Sequence, residues 1–297
     1  MILLQLHLVV TVAQAILPHP HQKIKSKKLP HMYLCGSFLI KNIENVSKMI
    51  YCFADYFIKV NCVHSYTYNQ CSNFIVESSY FDYDLSVGKD DIIHEKCDLN
   101  RNFNIAYIES ICLYRKLAEW LPLHNAFVFH SAVFDVDGTG IALAAHSGTG
   151  KTTHMLLWQK LIGDRLKIVN GDKPIVRFFD DEPETPYAYG TPWNGKEHLG
   201  CNMRTPLKHI CFIERAKTNS CEEMTKTEAV DLLFNQVYMP KDPQAALNTL
   251  QLINRLIYCC KLWKIKCNMD IDAAQTAYNK IFETEKENET EIQLCNK

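Results

Sequence analysis

Apolar positions recur at helical spacing through residues 109–121, E-S-I-C-L-Y-R-K-L-A-E-W-L, where Leu113, Leu117, Trp120 and Leu121 share one face. The pattern predicts an amphipathic helix from Glu109. The period then changes. F-V-F-H-S-A-V-F-D-V (127–136) reads as one strand, D-G-T-G as a hairpin turn and I-A-L-A-A (141–145) as a second strand. The run K-T-T-H-M-L-L-W-Q-K-L-I returns to helical spacing with Leu157, Trp158 and Leu161. Downstream, L-K-I-V-N-G-D is a buried strand ending in Asn170-Gly171-Asp172, Y-A-Y-G-T-P-W-N-G-K is a strand and turn, and L-K-H-I-C-F-I-E-R is a further strand. The remainder reads as helical. Asp242 before Pro243 is an N-cap with proline at the first helical position, and Asp270 caps a final helix running through Tyr278 to Phe282. Alternation of these elements predicts an α/β fold.

Residues 33–108 mix aromatic and β-branched residues with polar ones in period-two patches. They predict a small, mostly β N-terminal region, an α+β unit without legible chemistry. Residues 1–32 divide into an apolar start and a basic linker. The start ends in Ala13-Gln14-Ala15, as a secretory signal does, but has no positive residue ahead of it and is too short to span a bilayer. The alternatives for it are an N-terminal strand or helix, or an extension from a misplaced start. His19, His21 and His31 of the linker are metal-capable, yet the stretch reads as a solvated connector. Residues 109–283 form the core, and 284–297 a charged, flexible tail.

Composition narrows the function classes. A formal net charge of −1 over 297 residues gives no general attraction to nucleic acid or to an anionic membrane. The 13 cysteines contain no C-x-x-C pair and no zinc-ligand spacing, which points to reduced thiols in a cytoplasmic protein.

The candidate chemistry centres on A-A-H-S-G-T-G-K-T-T-H, residues 144–154, between a strand and a helix. In such a loop, consecutive backbone N–H groups face one concavity at a helix N-terminus and bind phosphate. Ser147, Gly148, Thr149, Gly150, Lys151, Thr152 and Thr153 are the candidate contacts. Lys151 reaches the outer phosphates, and Thr152 places its hydroxyl on magnesium. The usual first glycine is Ala145, so the strict G-x-x-x-x-G-K-[ST] pattern is missed by one residue. Asp172 stands where a metal-holding carboxylate belongs, directly or through water, although N-G-D is also turn chemistry. His130 points toward the phosphates if its strand neighbours the loop strand. Lys196, in G-T-P-W-N-G-K, is a candidate to neutralise charge on a transferring phosphoryl group, and Arg204 is a weaker one. Asp135 and Asp137 belong to the hairpin and read as structural.

S-G-T-G-K-T-T-H, V-N-G-D-K-P, G-T-P-W-N-G-K and P-L-K-H-I-C-F-I-E-R occur in that order. Over residues 109–283 the chain thereby resembles the HPr kinase-related branch of the superfamily that includes phosphoenolpyruvate carboxykinase. The resemblance implies a P-loop kinase core with a mixed sheet and flanking helices. It also implies ATP and magnesium, with Thr152 and Asp172 at the metal. In HPr kinase an aspartate pair follows the loop, one acid acting as base toward a serine hydroxyl. Here the first position is Gly171, leaving Asp172, or Asp172 with His130, to serve. His130 matches a histidine that precedes the loop in HPr kinases. The implied activity is phosphorylation of a hydroxyl, serine above all, on a protein or peptide partner; self-association stays open. The alternatives are a nucleotide sensor without turnover and a small carboxykinase. The latter would need substrate arginines that the chain does not show.

Overall fold

The computed structural model describes residues 49–99 and 103–295, with side chains described for 49–97 and 103–283. The expectations for residues 1–32, including His19, His21 and His31, lie outside the described residues, as do those for the side chains of the tail. Residues 47–297 cluster as one unit.

The chain is a mixed α/β structure. Its first part carries a four-stranded sheet, ordered β3-β1-β2-β4: β1 Ile50–Phe53, β2 Tyr56–Asn61, β3 Ile75–Val76 and β4 Tyr83–Ser86. Helices α1 (Ser65–Cys71), α2 (Lys89–Leu99) and α3 (Ile105–Trp120) accompany it, so among the described residues this region is not mostly β as its period-two patches predict: it holds at least as much helix as strand, the strands being short. Alternation in β2, where Tyr56, Ile58 and Val60 are buried and the residues between them are not, is what a half-covered strand requires. Helix α3 begins four residues ahead of the expected start, because the Asn104 side chain accepts from the Ala106 N–H and caps it there.

The second part is built on a nine-stranded sheet: β5 (Ala126–Val128), β6 (Ser131–Val136), β7 (Thr139–Ala144), β8 (Leu166–Asn170), β9 (Ile175–Arg177), β10 (Tyr187–Tyr189), β11 (Arg204–Arg215), β12 (Ser220–Glu223) and β13 (Lys261–Cys267). The order runs β5-β9-β10-β11-β7-β6-β8, with β13 also paired to β11 and β12 to β13. β7 and β13 run parallel to β11, whereas β6 is antiparallel to both β7 and β8. The remaining helices are α4 (Lys151–Ile162), α5 (Lys226–Phe234), α6 (Pro243–Cys259) and α7 (Ile271–Cys295).

Period two divides the strands between two cores. Phe134, Ile141, Leu143, Cys211, Trp263 and Ile265 pack on Met155 and Trp158 of α4 and on Ala273, Ala274, Ala277 and Ile281 of α7. Val133, Ala142, Ile210, Phe212 and Leu262 face the other way, onto Leu233 of α5 and Leu252, Ile253, Leu256 and Ile257 of α6. The sheet is therefore covered on both faces, which accounts for its nearly continuous apolar runs. Asp242 caps α6 through the Ala245 N–H at 2.8 Å, as its place before Pro243 predicts.

Three further expectations change. The single strand over 127–136 breaks at Phe129-His130, since β5 pairs with β9 while β6 pairs with β7 and β8. The region after Arg215 is not all helical: β12 and β13 are strands, and β13 is a core strand beside β11. The last helix continues past Phe282 to Cys295.

Candidate functional site

The strand directions bring the candidate residues to one edge. Because β6 runs antiparallel to its neighbours, its N-terminal end lies between the C-terminal ends of β7 and β8; Ser131 pairs with Ala144 and Val133 with Asn170. His130, just before β6, the loop 145–150 after β7, and Gly171-Asp172 after β8 all follow from that arrangement.

The loop enters α4 with positive φ at Gly148 (79°) and Gly150 (123°), conformations that side-chain-bearing residues rarely adopt. The Thr149 N–H donates to the His146 carbonyl, and the first helical bond runs from His154 N–H to Gly150. No side chain caps this helix, so the N–H groups of its first turn, from Lys151 to Thr153, have no partner among the described residues. Ser147 and Thr153 are exposed, and Thr152 is half-buried. From β11, Arg215 braces the loop: its Nε donates to the Thr149 carbonyl at 2.9 Å, and its Nη2 donates to the Gly148 carbonyl. Held by their carbonyls, these peptides are fixed from behind.

Lys151 is 8 % exposed. Its Nζ donates to the Ala145 carbonyl at 2.9 Å and lies 3.1 Å from His130 Nε2. The same His130 nitrogen is 3.3 Å from Asp172 Oδ1, and Lys173 Nζ approaches that oxygen at 3.8 Å. One imidazole nitrogen thus faces a cation and an anion. It can accept from Lys151 or donate to Asp172, one at a time. Burial pulls the Lys151 ammonium down to about 8, opposed by Asp172 and aided by Lys173. For His130, the Asp172 hydrogen bond acts upward, but burial and the charges of Lys173 and Lys151 outweigh it and leave the imidazole below its ordinary range. Burial acts upward on Asp172, and the His130 hydrogen bond with the two lysines reverses it, holding the carboxyl below the carboxylate range. At neutral pH the group set is therefore a neutral imidazole, a carboxylate and two ammonium groups.

Asn170, fully buried, shapes the turn that carries Asp172. Its Oδ1 accepts from the N–H groups of Asp172 (2.9 Å) and Lys173 (2.7 Å), while its amide donates to the carbonyl and hydroxyl of Thr191. At Gly171 a Cβ would stand 2.9 Å from the Asn194 carbonyl and 3.2 Å from that of Leu199. The position where the resemblance expects an acid has no room for any side chain.

The neighbouring segment 191–195 is gripped by the first part of the chain. Trp193 Nε1 donates to the carbonyl (3.2 Å) and hydroxyl (3.1 Å) of Ser110 on α3, the Ser110 hydroxyl donates to Gln70 of α1 at 2.5 Å, and Gln70 donates to the Pro192 carbonyl. The Tyr114 ring lies 5.5 Å from that of Trp193. Burial, then the charge of Asp172, pushes the Tyr114 phenol above its ordinary range. A Cβ on Gly195 would stand 3.3 Å from that of Asp172, so this segment forms one wall of the Asp172 turn.

Lys151, His130 and Asp172 are therefore brought together with the loop. Lys196 is exposed, and among the described residues no hydrogen bond or ion pair joins its side chain to them. Arg204 pairs with Asp55 and with the Tyr189 hydroxyl, each at 2.9 Å, in a structural network. Asp135 holds its own hairpin through the Gly138 N–H, and Asp137 pairs with Arg165, as structural residues do. Sequence reasoning missed Arg215, Lys173 and Tyr114. For Arg215 a signal exists: a strand parallel to β7 delivers its C-terminal residues to the same edge, and Phe212 already pairs with Ala144.

These features fit a polyphosphate: open N–H groups, two positive-φ glycines with nothing within 4 Å of an added Cβ, and a desolvated lysine. They also fit magnesium, which takes one or two protein oxygens beside phosphate ligands. The Asp172 carboxylate is a hard donor beside His130, and the Thr152 hydroxyl, in the first turn of α4, is another candidate donor. Among the described residues no group of three or more His, Cys, Asp or Glu could hold a metal by itself. No helix of the described residues is long and apolar enough to cross a membrane.

No protein-family model matches the chain, and no curated protein matches it. Among solved structures, the HPr(Ser) kinase/phosphatase from Coxiella burnetii is similar at a TM-score of 0.31 and 10% identity, over 53% of this chain and 98% of that one. A likeness at that level says nothing about what this chain does.

Proposed function

We propose that the chain is an ATP-dependent phosphotransferase that phosphorylates a hydroxyl, serine above all, on a protein or peptide. One observation carries the reading: Lys151, His130 and Asp172 form a continuous line of contacts beside the unpartnered first turn of α4. The amides from Gly148 to Thr153 with Lys151 hold the phosphates, braced by Arg215. Asp172, kept ionised, and the Thr152 hydroxyl would hold magnesium, which when bound would supply positive charge to offset that on the transferring group. His130, kept neutral, takes the proton of the acceptor hydroxyl as its oxygen bonds to the terminal phosphorus and the bond to the leaving diphosphate breaks. Lys151 releases Nε2 for that task by turning to a phosphate oxygen.

The test is phosphate transfer from labelled ATP with magnesium to serine-containing peptides. Transfer by the native chain, lost in Lys151→Met and Asp172→Asn, supports the reading. Tight nucleotide binding without transfer to any acceptor supports a sensor instead, which the closed position at Gly171 favours. Absence of nucleotide binding refutes both.

A further inference from the structure

The turn that presents Asp172 also presents Lys173, a residue with no role in the reading above. Its backbone is fixed on both sides: the N–H donates to Asn170 Oδ1 at 2.7 Å, and the carbonyl accepts from Thr191 Oγ1 at 2.7 Å. Asn170 is itself buried and doubly bonded to Thr191, so the origin of the lysine stem is rigid. The side chain is only 26 % exposed and turns inward, with Nζ 3.8 Å from Asp172 Oδ1. A lysine that merely balanced its neighbour's charge would leave its head in water, where such a pair is worth little.

The oxygen it approaches is the one that His130 Nε2 approaches, and Lys151 contacts that same nitrogen. Two ammonium groups therefore belong to one chain of contacts around a single carboxylate, Lys173 directly and Lys151 through His130. One carboxylate and a neutral imidazole leave that cluster with an excess positive charge, suited to an anion that spans both lysines. Lys151 begins α4 and stands with the loop amides. Lys173 follows Asp172 in the order of contacts. For an anion held by the loop amides and Lys151, Lys173 is the next ammonium along those contacts.

We propose that Lys173 binds the terminal phosphoryl group of a bound nucleoside triphosphate, acting as a positioning residue that distinguishes triphosphate from diphosphate. The inference rests on the nucleotide reading above. The test is calorimetric binding of MgATP and MgADP to the full chain, to Lys173→Gln and to Lys173→Arg. Removing one charge-assisted hydrogen bond weakens MgATP at least about tenfold in Lys173→Gln, with MgADP weakened by less than about twofold. Retained MgADP affinity shows that the variant is folded, and Lys173→Arg recovers most of the MgATP affinity. Equal weakening of both nucleotides, or no change in either, overturns the role of Lys173 while leaving the nucleotide site standing. A native chain that binds neither nucleotide overturns the site and this inference together.

Discussion

Lys151→Met probes the energetic cost of holding a cation ready at the loop. The ammonium is almost wholly buried, and its fall from 10.5 to about 8 corresponds to roughly 3 kcal/mol against the folded state at neutral pH. Methionine keeps the stem volume without the charge. It forfeits the hydrogen bonds to Ala145 and His130, each worth about 1 kcal/mol net. The variant is therefore the more stable protein at about pH 7, by ~1 kcal/mol. The sign depends on pH. Between about 8 and 10.5 the unfolded chain keeps the lysine proton and the folded chain does not, so native stability rises with pH across that window. By about pH 10 most of the penalty is gone, the native lysine retains its hydrogen bonds, and the variant becomes the less stable by ~1 kcal/mol. Urea denaturation of both proteins at the two pH values gives the difference directly, and the other titrating groups largely cancel in it. A difference that stays flat between them refutes the reasoning.

Further predictions concern the loop and the Asp172 turn. Gly171→Asp supplies the acid that the HPr kinase resemblance expects, yet its Cβ meets the Asn194 and Leu199 carbonyls; thermal melting shows a loss of about 1–3 kcal/mol and phosphate transfer falls. Asn170→Ala removes four hydrogen bonds, two of them fully buried, and costs about 3 kcal/mol in denaturant titration. Arg215→Met frees the Gly148 and Thr149 carbonyls; nucleotide affinity drops about tenfold while the melting temperature shifts little, since Arg215 is exposed.

The loop and its flanking strand and helix were legible because their signal is contiguous: the glycines, the lysine and the change of period sit within a dozen residues. The β6–β7 hairpin was legible for the same reason, since Asp137-Gly138 alone turns the chain. The break at His130 was not. The apolar pattern runs unbroken through Phe129, and only the distant partners β9 and β8 decide where one strand ends and the next begins. β13 was hidden by the absence of any turn signal, as α6 ends at Cys259 and the strand starts at Lys261. Arg215 reaches the site through the pairing of β11 with β7, strands far apart in the chain, which no local pattern encodes. The closed space at Gly171 is likewise set by Asn194 and Leu199, more than twenty residues on.

The indole of Trp193 ends on Ser110, and that anchorage ties the wall of the Asp172 turn to α1 and α3. Those two helices are thus scaffolding for the Asp172 turn instead of an appended module. A fragment beginning at the loop strand would keep every residue of the S-G-T-G-K-T-T-H stretch and still lose the carboxylate's alignment. Attempts to trim this chain to a minimal unit will find their lower limit upstream of Gln70.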